Sequence, residues 1–314
     1  MPKISIIIPT YNRADSLQRA LNSLWEQDLP ADQFEVIVVD DGSTDHTSTL
    51  VGESARPVCY IRQSQAGPGV ARNTGATAAS SPLLLFFDDD VVATPQLLTN
   101  HLKVHNAMPE PVSVLGYTPF DPACVTSPVM AYHDRRWTNI FAAVRAAYQR
   151  EGKLPFNFFI SLNLSVPRQE FERIGPFYTG FDAAYEDTEL GLRFAQAGIP
   201  HLFSEEAKAI HKPMLTLDSL TVRQERFGYL SAQYYRHHPD NMLMNESMRV
   251  DYVLGKTNSF PRRVLRGIVM NRLGIRLLMG IGQLSVVPVP IQMACLKRVA
   301  LFSYAIGFQR GSGR

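Results

Sequence analysis

Apolar residues in the first hundred positions fall into two rhythms. Ile4, Ile6, Ile7 and Ile8 form a short run closed by Pro9, the pattern of a strand with little exposed face. The segments "FEVIVVDD", "PVCYIR" and "LLLFFDDD" read the same way, as strands two, three and four. Between them the spacing changes. Over residues 14–27, Leu17, Leu21 and Leu24 keep helical intervals, with Asp15 as the expected cap. A second helix is expected from near Thr44, an Ala-rich third one within "GPGVARNTGATAAS", and a fourth from about Pro95 to His105. Strands alternating with helices predict an α/β fold, a mostly parallel sheet covered by helices.

From about 112 to 180 this alternation loosens. "FNFFISLNLSVPRQEFERIGPF" suggests a strand, a short helix and a turn. "EDTELGLRFAQAG" predicts a firm helix: Leu190, Phe194 and Ala197 share a face, Glu189 and Arg193 are set to pair, and Gly198 closes it. "PHLFSEEAKAIH" predicts strand, turn and strand, ending at His211.

In a parallel sheet, ligands gather beyond the carboxyl ends of the strands. Polar residues collect at four such ends: Thr10 to Arg13, Asp40-Asp41, the glycine turn, and Asp88 to Asp90. Three adjacent carboxylates repel one another unless water or a cation intervenes. Such oxygen ligands suit Mg²⁺ or Mn²⁺; the same run also reads as a solvated turn or a cap for the helix at Pro95. "AGPGVARNTG" lacks the third glycine and the distant acid of a dinucleotide fingerprint. In "YEDTEL", Glu186 and Asp187 open a helix, where a carboxylate serves either a capping role or acid–base work.

Net charge is only +2, but residues 252–314 carry ten Lys/Arg and no Asp or Glu, leaving 21 basic against 29 acidic residues elsewhere. An acidic body with a basic tail implies cation chemistry in one and an anionic partner for the other. Residues 277–296 are uncharged for twenty positions, though Gln283, Ser285, Gln292, Pro288 and Pro290 weaken a membrane span. Two shorter helices at a lipid surface, or a helical hairpin packed on the body, are the expectations. The tail lacks the aromatic interleaving of a nucleic-acid surface. Cys59, Cys124 and Cys295 lie too far apart for a metal cluster or a disulfide framework, which fits a reducing compartment. The apolar run at the N-terminus is too short for a signal peptide.

The ordered motifs "SIIIPTYNR", "VVDDGSTD", "AGPGVARNTGA", "FFDDDV" and "YEDTELGLRFAQAG", followed by His211, resemble the family 2 glycosyltransferases over about residues 3–212. The resemblance implies a GT-A fold: a mostly parallel sheet flanked by helices, here with a C-terminal helical extension. It implies a catalytic domain at 1–215; beyond it the charge and apolar pattern suggests a helical connector at 216–260 and basic apolar helices at 261–314. The resemblance further implies an inverting, hexosyl-type transfer from a nucleotide-sugar, with UDP preferred, to the hydroxyl of a saccharide or lipid-linked acceptor. The basic apolar tail and the scattered cysteines, not the resemblance, suggest the cytoplasm, with the protein peripheral on the cytoplasmic face of a membrane.

By the same resemblance Pro9, Thr10, Tyr11, Asp41, Arg72, Asp88 and Asp89 would contact the donor. Tyr11 would stack on the base, Asp41 would accept from it, and Arg72 would reach base or diphosphate; Asn73 would hold the turn. Asp89 is a spacer free to face water, and Arg13 a surface ion-pairing residue. Asp90 and His211 would hold the metal, Mg²⁺ or Mn²⁺. Asp187 would be the base, kept ionised by the helix start. Asn163, Glu186 and Trp137 would meet the acceptor, with Asn157 in the same stretch; Trp137 is as readily a core residue. Asp40 would bond turn amides. Two rivals are a nucleotidyltransferase, which would want a basic glycine-rich loop where "PTYNRAD" stands, and a non-catalytic nucleotide-sugar-binding module, which need not retain Asp90 and Asp187.

Overall fold

The computed structural model describes residues 2–54, 56–180, 185–238, 272–283 and 287–312. The chain divides into two compact units, one of residues 1–121 and 137–213, the other of 122–136 and 214–314.

The first unit is built on a seven-stranded sheet. Its strands are β1 (Ile4–Thr10), β2 (Phe34–Asp40), β3 (Cys59–Arg62), β4 (Leu83–Phe87), β6 (Ser113–Gly116), β7 (Asn163–Pro167) and β8 (His201–Ser204), in the spatial order β3-β2-β1-β4-β7-β6-β8. β1 to β4 run parallel, whereas β7 is antiparallel to both β4 and β6. A second, two-stranded sheet pairs β5 (Val91–Ala93) with β9 (Ala209–His211). The expected α/β architecture is present.

The uninterrupted apolar runs follow from burial on both faces of the sheet. Ile4, Ile6, Ile8, Val36, Val38, Leu83, Leu85 and Phe87 face one layer with Leu17, Leu21 and Leu24 of helix α1 (Ala14–Trp25) and Leu97 and Leu98 of α4 (Leu97–Ala107). Alternate residues Ile7, Ile37, Val39, Leu84 and Phe86 face the other. There they meet Ala71 of α3 (Pro68–Ala78), Phe171 of α6 (Arg168–Ile174) and Leu190 and Phe194 of α7 (Glu186–Gln196). Each large side chain so buried contributes about 1.5–3 kcal/mol. A Cβ at Gly75 would collide with Ile7, so only glycine lets α3 lie this close to the sheet.

Helix α2 (Thr47–Gly52) begins three residues later than expected. The α1 cap also differs. Asp15 is exposed, and the Ala14 amide instead donates to Asp45 of the "DGSTD" turn at 3.0 Å. In the loosened stretch the sequence reading missed α5 (Pro128–Glu151), a 24-residue helix. The Glu189–Arg193 pair forms at 2.7 Å, and Gly198 closes α7 with φ of 77°.

In the second unit, α8 (Leu217–His237) opens with a capping box between Thr216 and Ser219, followed by α9 (Arg272–Gln283) and α10 (Val289–Gly311). A Cβ at Gly228 would strike the Tyr304 carbonyl and one at Gly307 the Glu225 carbonyl, so glycines set the close packing of α8 on α10. Val129, Leu217, Leu220, Ile275, Leu296, Val299 and Phe302 form the core of this unit. Pro288 and Pro290 begin α10 rather than break it. By length and composition α10 could cross a membrane, but 44% of its most apolar window is buried within the protein. Within the expected connector, residues 239–260 lie outside the described residues, as do Lys256, Arg262, Arg263 and Arg266. All three cysteines are free.

Candidate active site

The parallel register brings the chemistry together. Ile7 pairs with Phe86, so Thr10, three residues on, is level with Asp89. The Thr10 hydroxyl donates to Asp89 Oδ2 at 2.8 Å. β5 and β9 pair Val91 with His211, which sets His211 beside Asp90: His211 Nε2 lies 3.5 Å from Asp90 Oδ1. The Asp90 carbonyl accepts from the Lys212 amide at 2.8 Å, locking that register.

Two arginines enter the carboxylate run. Arg13 Nη1 lies 3.1 Å from Asp89 Oδ1 and 2.9 Å from Asp90 Oδ2. Arg72 donates to Asp88 at 2.8 Å and to Glu186 at 3.0 Å, with Phe177 beside its guanidinium. Among the described residues, five carboxylates, Asp88, Asp89, Asp90, Glu186 and Asp187, thus share two guanidinium groups. Arg72 Nε and Glu186 Oε2 are buried and make no hydrogen bond among the described residues. Buried polar atoms are normally satisfied, so these two stand out.

The structure decides several alternatives that the sequence left open. The Asp88–Asp90 run does not cap α4, whose N-cap is Gln96 without a side-chain bond. Nor do Glu186 and Asp187 form a capping box, because the α7 N-cap is Tyr185 and no side chain caps it. Tyr185 is left-handed at φ 68°, and Asn12 at 52° is the other non-glycine with positive φ among the described residues. Both flank the carboxylate cluster, and backbone strain of this kind concentrates at functional sites. Asn12 Oδ1 accepts from the Thr44 amide at 2.7 Å and so fixes the "DGST" turn.

Asp187 is partly buried and accepts from its own neighbour's amide, Thr188, at 2.7 Å. Burial pushes its carboxyl up to about 7; Glu186 adds to this, and Arg72 with the Thr188 and Ser161 amides reverses it only in part. The expected stabilisation of the ionised form by the helix start is therefore outweighed. A helix terminus contributes about 0.3–1 kcal/mol, less than one pKa unit, whereas burial can move a carboxyl by several. A carboxyl near 7 is well matched to accept a proton at neutral pH.

Other expected residues need correction. Asp89 is not a water-facing spacer: it is 5% exposed, and burial pushes it up to about 7 against the pull of Arg13. Arg13 is exposed and ion-paired as expected, but its partners are the carboxylates of the site. Arg72 is buried, its two end nitrogens held by Asp88 and Glu186, so it acts on carboxylates rather than reaching outward. Asn73 fixes not its own turn but the loop at Phe177, through bonds of 2.9 and 2.8 Å. Asp41 is buried and accepts from Gln63 and from the Ala66 and Gly67 amides, each at 2.8 Å. It pins the glycine loop, and of the about four acceptor sites of a carboxylate one remains, on Oδ2, for a base. Asn163 is fully buried and bonded to His101, Thr118 and the Ala207 carbonyl, which removes it from any acceptor surface.

Pro9 is a buried residue of β1, and Tyr11, 40% exposed, stands open beside the cluster. Asp40 accepts from the Ser43 amide at 2.7 Å, the expected turn role. Trp137 is partly buried, donates to the Thr118 carbonyl at 2.6 Å and packs on the His211 ring at 4.9 Å, so it braces His211. Asn157 Oδ1 is buried without a hydrogen bond among the described residues. The sequence reading missed Arg13 as a site residue; the available signal was that three adjacent carboxylates demand a counter-cation.

No group of three or more His, Cys, Asp or Glu converges as a full ligand set among the described residues. The donor chemistry nevertheless fits a hard divalent ion. Asp90 Oδ1 and His211 Nε2, 3.5 Å apart, are close to the separation of about 3 Å kept by neighbouring ligands of an octahedral ion with bonds of about 2.1 Å. Mg²⁺-type ions commonly use one or two protein ligands and complete their shell with water and phosphate.

Residues 5–156 match the family described as "Glycosyl transferase family 2". Among curated proteins, the chain is 36% identical over 241 residues to validoxylamine A glucosyltransferase of Streptomyces hygroscopicus subsp. jinggangensis, a match covering 68% of this chain and 56% of that one. The chain thus spans little more than half the length of that relative. It is 43% identical over 95 residues to poly(ribitol-phosphate) beta-N-acetylglucosaminyltransferase TarS of Staphylococcus aureus, covering 29% of this chain and 16% of that one. Among solved structures, the mannosyltransferase PcManGT from Pyrobaculum calidifontis, in complex with GDP-Man and Mn²⁺, superposes with a TM-score of 0.59 at 19% identity, covering 96% of this chain and 86% of that one. That likeness speaks for the fold. Through this domain, the chain belongs to the family 2 glycosyltransferases.

Proposed function

We propose that the protein is an inverting, divalent-metal-dependent glycosyltransferase that moves a sugar from a nucleotide-sugar, UDP-linked by preference, to an acceptor hydroxyl in polysaccharide or glycolipid synthesis. The observation that carries this reading is Asp187, a carboxyl raised to about 7 at the rim of an unbalanced carboxylate cluster. A sugar hydroxyl is a poor nucleophile and needs a positioned base. Asp187 takes the hydroxyl proton while the oxygen attacks the anomeric carbon on the face opposite the diphosphate, and one displacement inverts that centre. Asp90 and His211 would hold Mg²⁺ or Mn²⁺, which when bound supplies positive charge to the departing diphosphate. Asp88 orients the donor's ribose or sugar, held by Arg72. Thr10 fixes Asp89 behind it, and Tyr11 offers a face to the base. Glu186 raises the basicity of Asp187 and borders the acceptor side.

We assign the enzyme to the cytoplasm, peripheral on an anionic membrane surface. Support comes from the second unit, where Leu277, Val289 and Ile291 are 67%, 63% and 51% exposed near the exposed cations Arg276, Lys297 and Arg298. Apolar side chains beside basic ones are the composition of an interfacial helix.

Calorimetric titration of UDP, GDP and dTDP, each with Mn²⁺ and with EDTA, tests the donor reading. GDP belongs in the set because PcManGT was solved with GDP-Man. The expected result is that UDP binds with Mn²⁺, and that EDTA or Asp90→Ala abolishes the binding. Metal-independent binding, or none, would overturn the metal assignment.

A further inference from the structure

Arg13 occupies an unusual position. Its carbonyl accepts from the Ser16 and Leu17 amides at 3.0 and 2.9 Å, so its backbone is fixed at the start of α1. Its side chain leaves the helix and lies across two aspartates. The guanidinium side chain is 51% exposed, while those of Asp89 and Asp90 are 6% and 12% exposed. It is the solvent-side cover of two largely buried carboxylates.

The two aspartates differ in what else holds them. Asp89 Oδ2 is engaged by the Thr10 hydroxyl, so Asp89 stays anchored whether or not Arg13 remains. Asp90 is divided: Oδ2 meets Arg13, and Oδ1 faces His211. A divalent ion at Asp90 and a guanidinium on the same carboxylate repel each other strongly. Being half-exposed on a long flexible stem, Arg13 can yield; Asp90 cannot.

We propose that Arg13 is a displaceable counter-cation: it neutralises Asp90 in the metal-free protein, yields it to the divalent ion, and shifts its charge onto the diphosphate of the donor. Arg is suited to both partners because its planar fork matches carboxylate and phosphate alike. The exchange makes metal binding alone weak and couples metal to nucleotide, since only the diphosphate compensates Arg13 for the carboxylate it gives up. The inference rests on the metal-dependent reading above.

The test is titration of Mn²⁺, followed by electron paramagnetic resonance of the free ion, on wild type, Arg13→Ala and Arg13→Lys, each without and with UDP. Wild type is expected to bind Mn²⁺ weakly alone and about tenfold or more tightly with UDP. Arg13→Ala should bind Mn²⁺ alone about tenfold more tightly than wild type and lose most of the gain from UDP. Arg13→Lys, which keeps the charge but lacks the planar fork that matches a diphosphate, should fall between. Should Arg13→Ala fail to fold, Arg13→Lys carries the comparison alone. Equal Mn²⁺ affinity of folded variants and wild type, with UDP coupling intact, overturns the role of Arg13 and leaves metal dependence standing. Absence of Mn²⁺ binding in every protein, with UDP present, overturns both.

Discussion

The first unit contains two buried polar clusters, and they are opposites. One is the carboxylate cluster at the strand ends, with, among the described residues, five acids against Arg13 and Arg72 and with Glu186 Oε2 and Arg72 Nε unmatched. The other lies between α4 and β7. There His101 bridges Ser165 and Asn163 at 2.8 and 2.9 Å, His105 reaches the same Ser165 at 2.8 Å, and Asn163 continues to Thr118. Because the Asn163 amide donates to Thr118 and Ala207, its oxygen faces His101, whose Nε2 must donate. His101 then accepts from Ser165, and Ser165 from His105. The chain closes without a formal charge. Burial holds His101 near 4 and His105 near 3, so both stay neutral at physiological pH. A satisfied, neutral network rigidifies a fold. An unbalanced one carries a cost that folding alone does not recover, and this points to a ligand.

The largest effect that would break this comparison is at Asp187. Asp187→Asn should lower kcat by about 10²–10⁴-fold while changing UDP affinity little, as measured by transfer assay beside calorimetry. Equal losses in both would make Asp187 a binding residue instead. Arg72→Gln strands Asp88 and Glu186, and should lower stability by about 3–5 kcal/mol in urea unfolding, the range for breaking a buried pair. In the neutral cluster, Asn163→Ala should lower stability by about 1–3 kcal/mol and leave nucleotide affinity unchanged. A change in affinity would return Asn163 to the site.

Two pH dependences sharpen the contrast. kcat/KM should fall as pH drops below about 7, where Asp187 takes up its proton, and Glu186→Gln should move that limb to lower pH because Glu186 raises Asp187. Stability should behave differently. His101, His105 and also His201, held near 4 by burial, have folded values below the ordinary value of 6.5. Between about 6.5 and 4 the unfolded chain binds protons that these three histidines refuse, while folded Asp89 and Asp187, raised to about 7, bind two that the unfolded chain does not, so the melting temperature should fall only by the difference as pH falls through that window. The smallest effect concerns the second unit. Reversing Arg276, Lys297 and Arg298 to Glu should weaken sedimentation with anionic vesicles and leave soluble-acceptor transfer unchanged.

Much of this was legible before the structure. Strands buried on both faces leave continuous apolar runs, so β1, β2 and β4 could be read directly. Each carboxylate of the cluster was visible as a strand-end or helix-start residue. What the sequence hid was pairing. Neither the antiparallel direction of β7 nor the β5–β9 bridge that sets His211 by Asp90 leaves a local pattern. Nor does the reach of Arg13 across to Asp90. Asn163 was expected at the acceptor because the family resemblance places its stretch there, but its partners come from distant positions 101, 118 and 207. Helix α5 was readable in principle: Trp137, Phe141, Val144 and Tyr148 keep helical spacing, diluted by the charges at 134–136.

The central claim is that the unbalanced cluster holds a divalent ion against a diphosphate. Crystals grown with Mn²⁺ and UDP, with anomalous scattering recorded for manganese, test it most directly. The account predicts one peak within about 2.5 Å of the Asp90 carboxylate, on its His211 side and touching the diphosphate, with Arg13 turned away from Asp90. A bound UDP with no peak there, or a manganese held instead by Glu186 and Asp187, would contradict it.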